Sequence, residues 1–269
     1  MSQVLPLIMG ILNLTPDSFS DGGHHAEGEA AVAHGLALIA AGADVLDVGG
    51  ESTRPGSDPV SLEDEIARVV PVIKALRQGW DGIISIDTMK PQVARAAVKA
   101  GASMWNDVTA LSHAPESLAT AAELGCQVVL MHMLGDPKTM QDAPHYEDVV
   151  AEVVGHLKTR AETAIEAGVP REKIWLDPGI GFAKAAAHNL SLTRHLDQLV
   201  DLGFPVLYAA SRKRIVQAVD ASASDPLDRL GGSLALALEG VRRGAAMVRV
   251  HDVRETAQAL KLQAAVAGA

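Results

Sequence analysis

Apolar and polar positions follow two regimes along the chain. Runs of three to six residues, mostly apolar, break off at an acid, an amide or a base, and longer stretches between them carry apolar residues at helical spacing. The short runs predict strands at Leu7–Leu12, Asp44–Val48, Ile83–Ile86, Ser103–Asn106, Gln127–Met131, Ile174–Leu176, Val206–Ala210 and Met247–Val250. They start about every 34 residues, the size of one strand–helix unit. Among the intervening segments, Ala30–Ala41 stops at Gly42, and Leu62–Leu76 opens behind Ser61. The latter has Glu63, Asp64 and Glu65 in its first turn, where a helix dipole favours acids. Asp142–Gly168 and Pro226–Gly244 read as longer helical spans. The pairs Ala41-Gly42, Ala100-Gly101 and Ala167-Gly168 recur just ahead of a strand, as helix C-caps do.

Eight successive strand–helix units with no long spacer imply an α/β fold, a TIM (β/α)8 barrel with residues 1–269 as a single domain. An open doubly wound sheet would carry a Gly-rich turn directly after its first strand. Here that turn is Thr15-Pro16-Asp17-Ser18. The barrel reading places function at the carboxyl ends of the strands.

Composition narrows the partners. With 48% hydrophobic but only 3% aromatic residues, Ala, Val, Leu and Ile must fill the core, which suits a layered α/β protein. A net charge of −10 argues against nucleic acid or an anionic membrane as partner. The single Cys126 rules out an internal disulfide and fits a reducing cytoplasm. No apolar stretch has spanning length. A soluble, cytoplasmic protein is expected.

The strand ends hold the candidate chemistry: Asn13, Asp47, Asp87, Asn106, His132, Asp177, Ser211-Arg212-Lys213, and Arg249 with His251. Any one such residue is more often a turn or cap former. A polar residue at all eight ends exceeds what a barrel needs for packing. Asp87, Asn106 and Asp177 suit the amino edge of a pyrimidine, because a carboxylate accepts paired N–H groups and an amide offers a donor and an acceptor. Lys213 would balance the buried acids, and Met131 and Phe182 would flank a planar ring. Arg249 and His251 alternate on the last strand and so share a face. Next to them Asp252-Val253-Arg254-Glu255 reads as a capping box, and bases beside a helix N-terminus make an anion site. Asn13 could add a single weak ligand to a divalent ion held mainly by phosphate and water. His24-His25 lies outside any strand context and reads as solvated.

At these residues the chain resembles the dihydropteroate synthases. The matching segments are Met9–Gly23, Asp47–Gly56, Ser85–Thr88, Asn106-Asp107, Leu130–Met133, Leu176–Gly179, Ser211–Lys213 and Arg249–Asp252, in the family's order. The resemblance implies a transferase that forms a C–N bond. It joins 4-aminobenzoate to 6-hydroxymethyl-7,8-dihydropterin diphosphate and releases diphosphate, as a homodimer and a sulfonamide target. It implies pterin binding by Asp87, Asn106, Asp177 and Lys213, and diphosphate held by Asn13, Arg249 and His251 with Mg2+ on Asn13. Thr53, Ser211 and Phe182 would form the aminobenzoate site, and the segments around Asp21 and Arg54 would act as lids. Arg249→Ala is then expected to weaken diphosphate binding more than pterin binding. Ala183 and Ala209 stand where the family often has Gly, and Ile180 where it often has a second Phe. These changes bear on the space available to sulfonamide-type analogues. Two other functions share part of the pattern. A corrinoid-dependent methyltransferase barrel would keep the pterin acids without the diphosphate bases, and a non-catalytic pterin-binding module would need no leaving-group site.

Overall fold

In the computed structural model, residues 5–14, 23–52, 59–135 and 144–268 are described, residues 23–27 in backbone only. The strands are β1 Leu7–Asn13, β2 Val45–Gly49, β3 Ile83–Asp87, β4 Met104–Asp107, β5 Gln127–Met131, β6 Ile174–Asp177, β7 Leu207–Tyr208 and β8 Met247–Val250. The helices are α1 Gly23–Ala41, α2 Leu62–Gly79, α3 Pro91–Ala100, α4 Ser117–Leu124, α5 Val149–Glu166, α6 Ala186–Arg194, α7 Asp197–Val200, α8 Arg214–Val219, α9 Leu230–Arg242 and α10 Val253–Gly268. All strand pairs are parallel, and the sheet runs β6-β5-β4-β3-β2-β1-β8-β7. A single bridge between Leu176 and Val206 closes it, reinforced by the Leu176 N–H donating to Pro205 O at 3.0 Å. The fold is the expected TIM barrel.

Side chains alternate across the strands with period two. Met9, Val45, Met104, Val129, Trp175, Leu207 and Met247 point inward and form one apolar floor. The intervening residues, such as Ile8, Leu12, Leu46, Ile84, Trp105 and Leu130, face the helices in a larger apolar shell. Burying each such side chain contributes on the order of 2 kcal/mol. Two residues above the floor on the same face, the side chains change character to Asp47, Ser85, Asn106, Met131, Asp177 and Arg249. The floor therefore sets the depth at which the chemistry begins.

Several boundaries differ from the sequence reading, each for a local reason. β1, β3 and β6 run one residue further, so Asn13, Asp87 and Asp177 are the last rungs of the ladder rather than the first loop residues. β7 forms ladder pairs only at Leu207–Tyr208, and Ala209-Ala210 lie beyond it. α1 begins at Gly23, within a Gly- and His-rich stretch that carries no helical signal. α5 begins at Val149 because Asp148 caps it, accepting from Val150 N and Ala151 N at 3.0 and 3.1 Å. Residues 144–148 are thus outside the helix, and residues 142–143 lie outside the described residues. The last long span splits into a 3-10 turn, Pro226–Arg229, capped by Asp225, and then α9. The Gly42, Gly101 and Gly168 terminators hold, all with positive φ.

Candidate active site

Four side chains from four strands lock together at the barrel mouth. Arg249 on β8 donates from Nε to Asp47 Oδ2 on β2 (2.6 Å) and from Nη2 to Asp87 Oδ2 on β3 (2.8 Å). Asn106 on β4 donates from Nδ2 to the same Asp47 oxygen (3.0 Å). Strand register brings them together: Asn13, Gly49, Asp87 and Asn106 are successive Cα partners across β1 to β4. Asp47 Oδ1, Asp87 Oδ1 and Ser85 Oγ are buried without a partner among the described residues. Unpaired buried acceptors are costly, and three in one cage fit a ligand that brings N–H groups. Burial pushes Asp87 up to about 7. Arg249 opposes this rise, and the acids Asp47, Glu65 and Asp107 add to it.

Across the mouth, Asp177 ends β6 with Oδ1 accepting from Gly179 N (2.7 Å). Its pKa is raised by burial, against the pull of Lys213, the Gly179 bond, Arg249 and Lys184. Lys213 donates to Ile180 O and sets its ammonium 4.7 Å from the centre of the Phe182 ring. Burial lowers Lys213 to about 8, with Asp177 resisting that shift. Ser211 and His251 meet through Oγ and Nδ1 at 3.0 Å, which orients the imidazole, and His251 N donates to the same Oγ at 3.2 Å. Met131 is buried on the inward face of β5, one register step from Asp177.

The structure thus brings together Asp87, Asn106 and Arg249, with Arg249 bonded directly to Asp87 and joined to Asn106 through the shared Asp47 oxygen. It also gathers Asp177, Lys213 and Phe182 around the β6–α6 turn. Arg249 is not simply a free base at the mouth: it holds the carboxylates of both Asp47 and Asp87. Asp252 lies next to the start of α10, but its carboxylate is committed to Arg212 (Nε to Oδ2 3.0 Å, Nη2 to Oδ1 2.5 Å) rather than to capping the helix. This clamp steadies Arg212, whose φ of 58° turns the chain between Ser211 and Lys213. His132 faces outward, its ring 4.9 Å from His156 and 6.1 Å from Tyr146. Asp21, Thr53 and Arg54 lie outside the described residues, as do the His24 and His25 side chains.

Three features escaped the sequence reading. Asp47 stands among the strand ends yet was given no ligand role, although it is the hub of the cage. Lys184, buried to 3% exposure, collects backbone carbonyls behind the β6–α6 turn. Lys90 binds Glu51 Oε2, Glu65 Oε2 and Val60 O, each at 2.7 Å, which clasps the two ends of the segment between β2 and α2. None has a local sequence signature, because their partners are distant or are main-chain atoms. Cys126 is buried with its thiol pushed up to about 11, unsuited to attack.

Among the described residues no group of three His, Cys, Asp or Glu side chains could hold a metal ion. Asn13 Oδ1 and Asp87 Oδ2 both flank Gly49, where a Cβ would lie 3.7 and 3.8 Å from them. Such a sparse oxygen set fits a hard ion that arrives with its own phosphate and water ligands.

Comparison with known proteins gives a consistent relationship. Residues 9–251 match the model of a family described as pterin binding enzyme. The chain is 48% identical over 258 residues to dihydropteroate synthase of Escherichia coli strain K12, covering 96% of this chain and 90% of that protein. It superimposes with a TM-score of 0.93 at 50% identity on Xanthomonas albilineans dihydropteroate synthase with 4-aminobenzoic acid, covering 98% of this chain and 94% of that one. A structure of the Xanthomonas albilineans enzyme in complex with 7,8-dihydropteroate gives a TM-score of 0.89 at 47% identity, covering 98% and 95%. The chain belongs to the dihydropteroate synthases, transferases of the pterin-binding enzyme family.

Proposed function

We propose that the chain condenses 6-hydroxymethyl-7,8-dihydropterin diphosphate with 4-aminobenzoate, forming 7,8-dihydropteroate and diphosphate. The carrying observation is the cage in which Asp47, Asp87 and Ser85 keep unpaired buried acceptors while Arg249 and Asn106 hold the acids in place. The 2-amino and ring N–H groups of a pterin present a row of donors to such acceptors. The relatives solved with 4-aminobenzoic acid and with 7,8-dihydropteroate support the same substrates here.

In this reading Asp87, Asn106 and Asp177 orient the pterin from its edge, with Met131 beneath the ring and Lys213 above the acids. Arg249 reaches from the pterin cage toward the departing diphosphate, which His251 and the amino end of α10 also meet. These groups stabilise charge that grows as the C–O bond breaks. A Mg2+ bound to the diphosphate, with Asn13 as its protein ligand, would neutralise part of that charge. Phe182 and Ser211, with Thr53, Arg54 and Asp21 from outside the described residues, would form and cover the aminobenzoate side. No activated nucleophile is required, because the arylamine itself attacks the exocyclic carbon. We favour departure of diphosphate before attack. The working unit is a homodimer in the cytoplasm.

Diphosphate release that depends on both substrates tests the reaction. Release with the pterin diphosphate alone, or binding without turnover, contradicts it. Exchange of labelled diphosphate into the pterin substrate without aminobenzoate is the expected sign of early departure, and its complete absence overturns that order. Sedimentation tests the dimer.

A further inference from the structure

Lys184 is the most deeply buried cation of the β6–α6 region, and among the described residues no carboxylate bonds to it. Its ammonium faces four acceptors: Phe182 O at 3.0 Å, Gly179 O at 3.1 Å, His132 O at 3.2 Å and His132 Nδ1 at 3.0 Å. Placing an ammonium among carbonyls costs desolvation energy, which the apolar shell alone gives no reason to incur. The acceptors supply the reason. Gly179 and Phe182 are the two ends of a tight turn closed by Phe182 N donating to Gly179 O at 3.0 Å. Lys184 grips both ends and ties them to the end of β5.

The turn has little freedom elsewhere. Gly179 has φ of 67°, and a Cβ there would lie 2.0 Å from His132 O, so the turn packs directly on β5. Gly181, with φ of 82°, donates to Asn189 Oδ1 at 2.8 Å. Tyr146 Oη donates to Ala183 O at 3.0 Å. On the mouth side Lys213 donates to Ile180 O and lies against the Phe182 ring. Two lysines therefore hold one turn from opposite sides, Lys213 in the mouth and Lys184 behind it.

We propose that Lys184 is a positioning residue that fixes the Phe182 ring through the main chain of the Gly179–Phe182 turn, and thereby sets affinity for the aryl substrate. It touches no substrate itself. This rests on the reading of Phe182 as part of the aminobenzoate site. Met replaces Lys at nearly the same length without N–H donors, so Lys184→Met releases the turn while filling the space. The expected result is a KM for 4-aminobenzoate raised about tenfold or more. Calorimetric affinity for 6-hydroxymethyl-7,8-dihydropterin diphosphate should stay within about twofold.

A second readout does not need turnover. Hydrogen exchange at the Gly181, Phe182 and Ala183 amides should quicken at least about tenfold in the variant, with exchange in β1 to β4 unchanged. Where Lys184→Met does not fold, Lys184→Ala assayed with and without added ethylammonium replaces it, and the amine should restore slow exchange and a low KM. Unchanged KM and exchange overturn the proposal. Equal losses of both affinities and of protection throughout the barrel also overturn it, by showing a general structural role. If the wild-type protein forms no 7,8-dihydropteroate, the functional reading fails, and the exchange experiment still decides whether Lys184 holds the turn.

Discussion

Ala183 has φ of 49°, a left-handed conformation that suits glycine and strains any residue with a Cβ. A glycine at this position would carry no such strain. The strain costs about 1 kcal/mol, and the greater freedom of glycine in the unfolded chain returns part of that. Ala183→Gly is therefore expected to raise the melting temperature by roughly 1–2 °C, read by calorimetry. Arg249 gives a larger effect. Removing it leaves Asp47 and Asp87 as buried acids without their cation, so Arg249→Ala is expected to lose about 3–5 kcal/mol of stability and to weaken binding of pterin and diphosphate alike. Urea unfolding with separate ligand titrations checks this, and loss confined to diphosphate would show that Arg249 does not support the cage. Asn13, Asp87, Asn106 and Asp177 were legible in the sequence because each follows an apolar run at the end of a strand. The double pairing of Arg249 was not, since its partners lie 202 and 162 residues away.

Elements in this protein are tied by single side chains at their ends. Lys90, just ahead of α3, bonds Glu51 after β2 and the fully buried Glu65 in the first turn of α2. Glu51 Oε1 in turn accepts from Val60 N at 3.1 Å. Lys90→Ala would strand the Glu65 carboxylate, and a loss of about 3 kcal/mol, roughly 6–12 °C in melting temperature, is expected. Lys90→Ala combined with Glu65→Gln should recover part of it. The sequence showed the acids opening α2 and the glycines that follow α1, α3 and α5, because both signals are local. It did not show where α1 and α5 begin. α1 starts in residues of poor helical propensity, and α5 starts where Asp148 supplies a cap, a signal hidden inside a longer span that reads as helical.

For the molecule as a whole, eight repeats of one pattern made the barrel readable, while closure depended on contacts that no repeat specifies. The buried acids also give it a characteristic pH response. Burial raises Asp87 to about 7 and Asp107 to about 6, although Thr109 and Leu111 bond to Asp107. Both hold protons more tightly folded than unfolded, so their contribution to stability falls as pH rises from about 4 toward 7. His132, which burial, Lys184 and His156 lower to about 3, contributes in the opposite sense below its ordinary 6.5, and Lys213, lowered to about 8, does so above that value. Asp87→Asn should flatten the fall, as urea midpoints across this range would show; an unchanged slope would exclude Asp87 as its source. The join between β6 and β7 carries a further consequence. One bridge holds it, and the strands on its two sides deliver Asp177 and, past Ala210, Ser211 and Lys213. A substrate gripped from both sides would rivet the thinnest part of the hoop. Occupancy should therefore slow amide exchange at Leu176, whose N–H crosses to Pro205, more than at the β2–β3 rungs already fastened by five residue pairs.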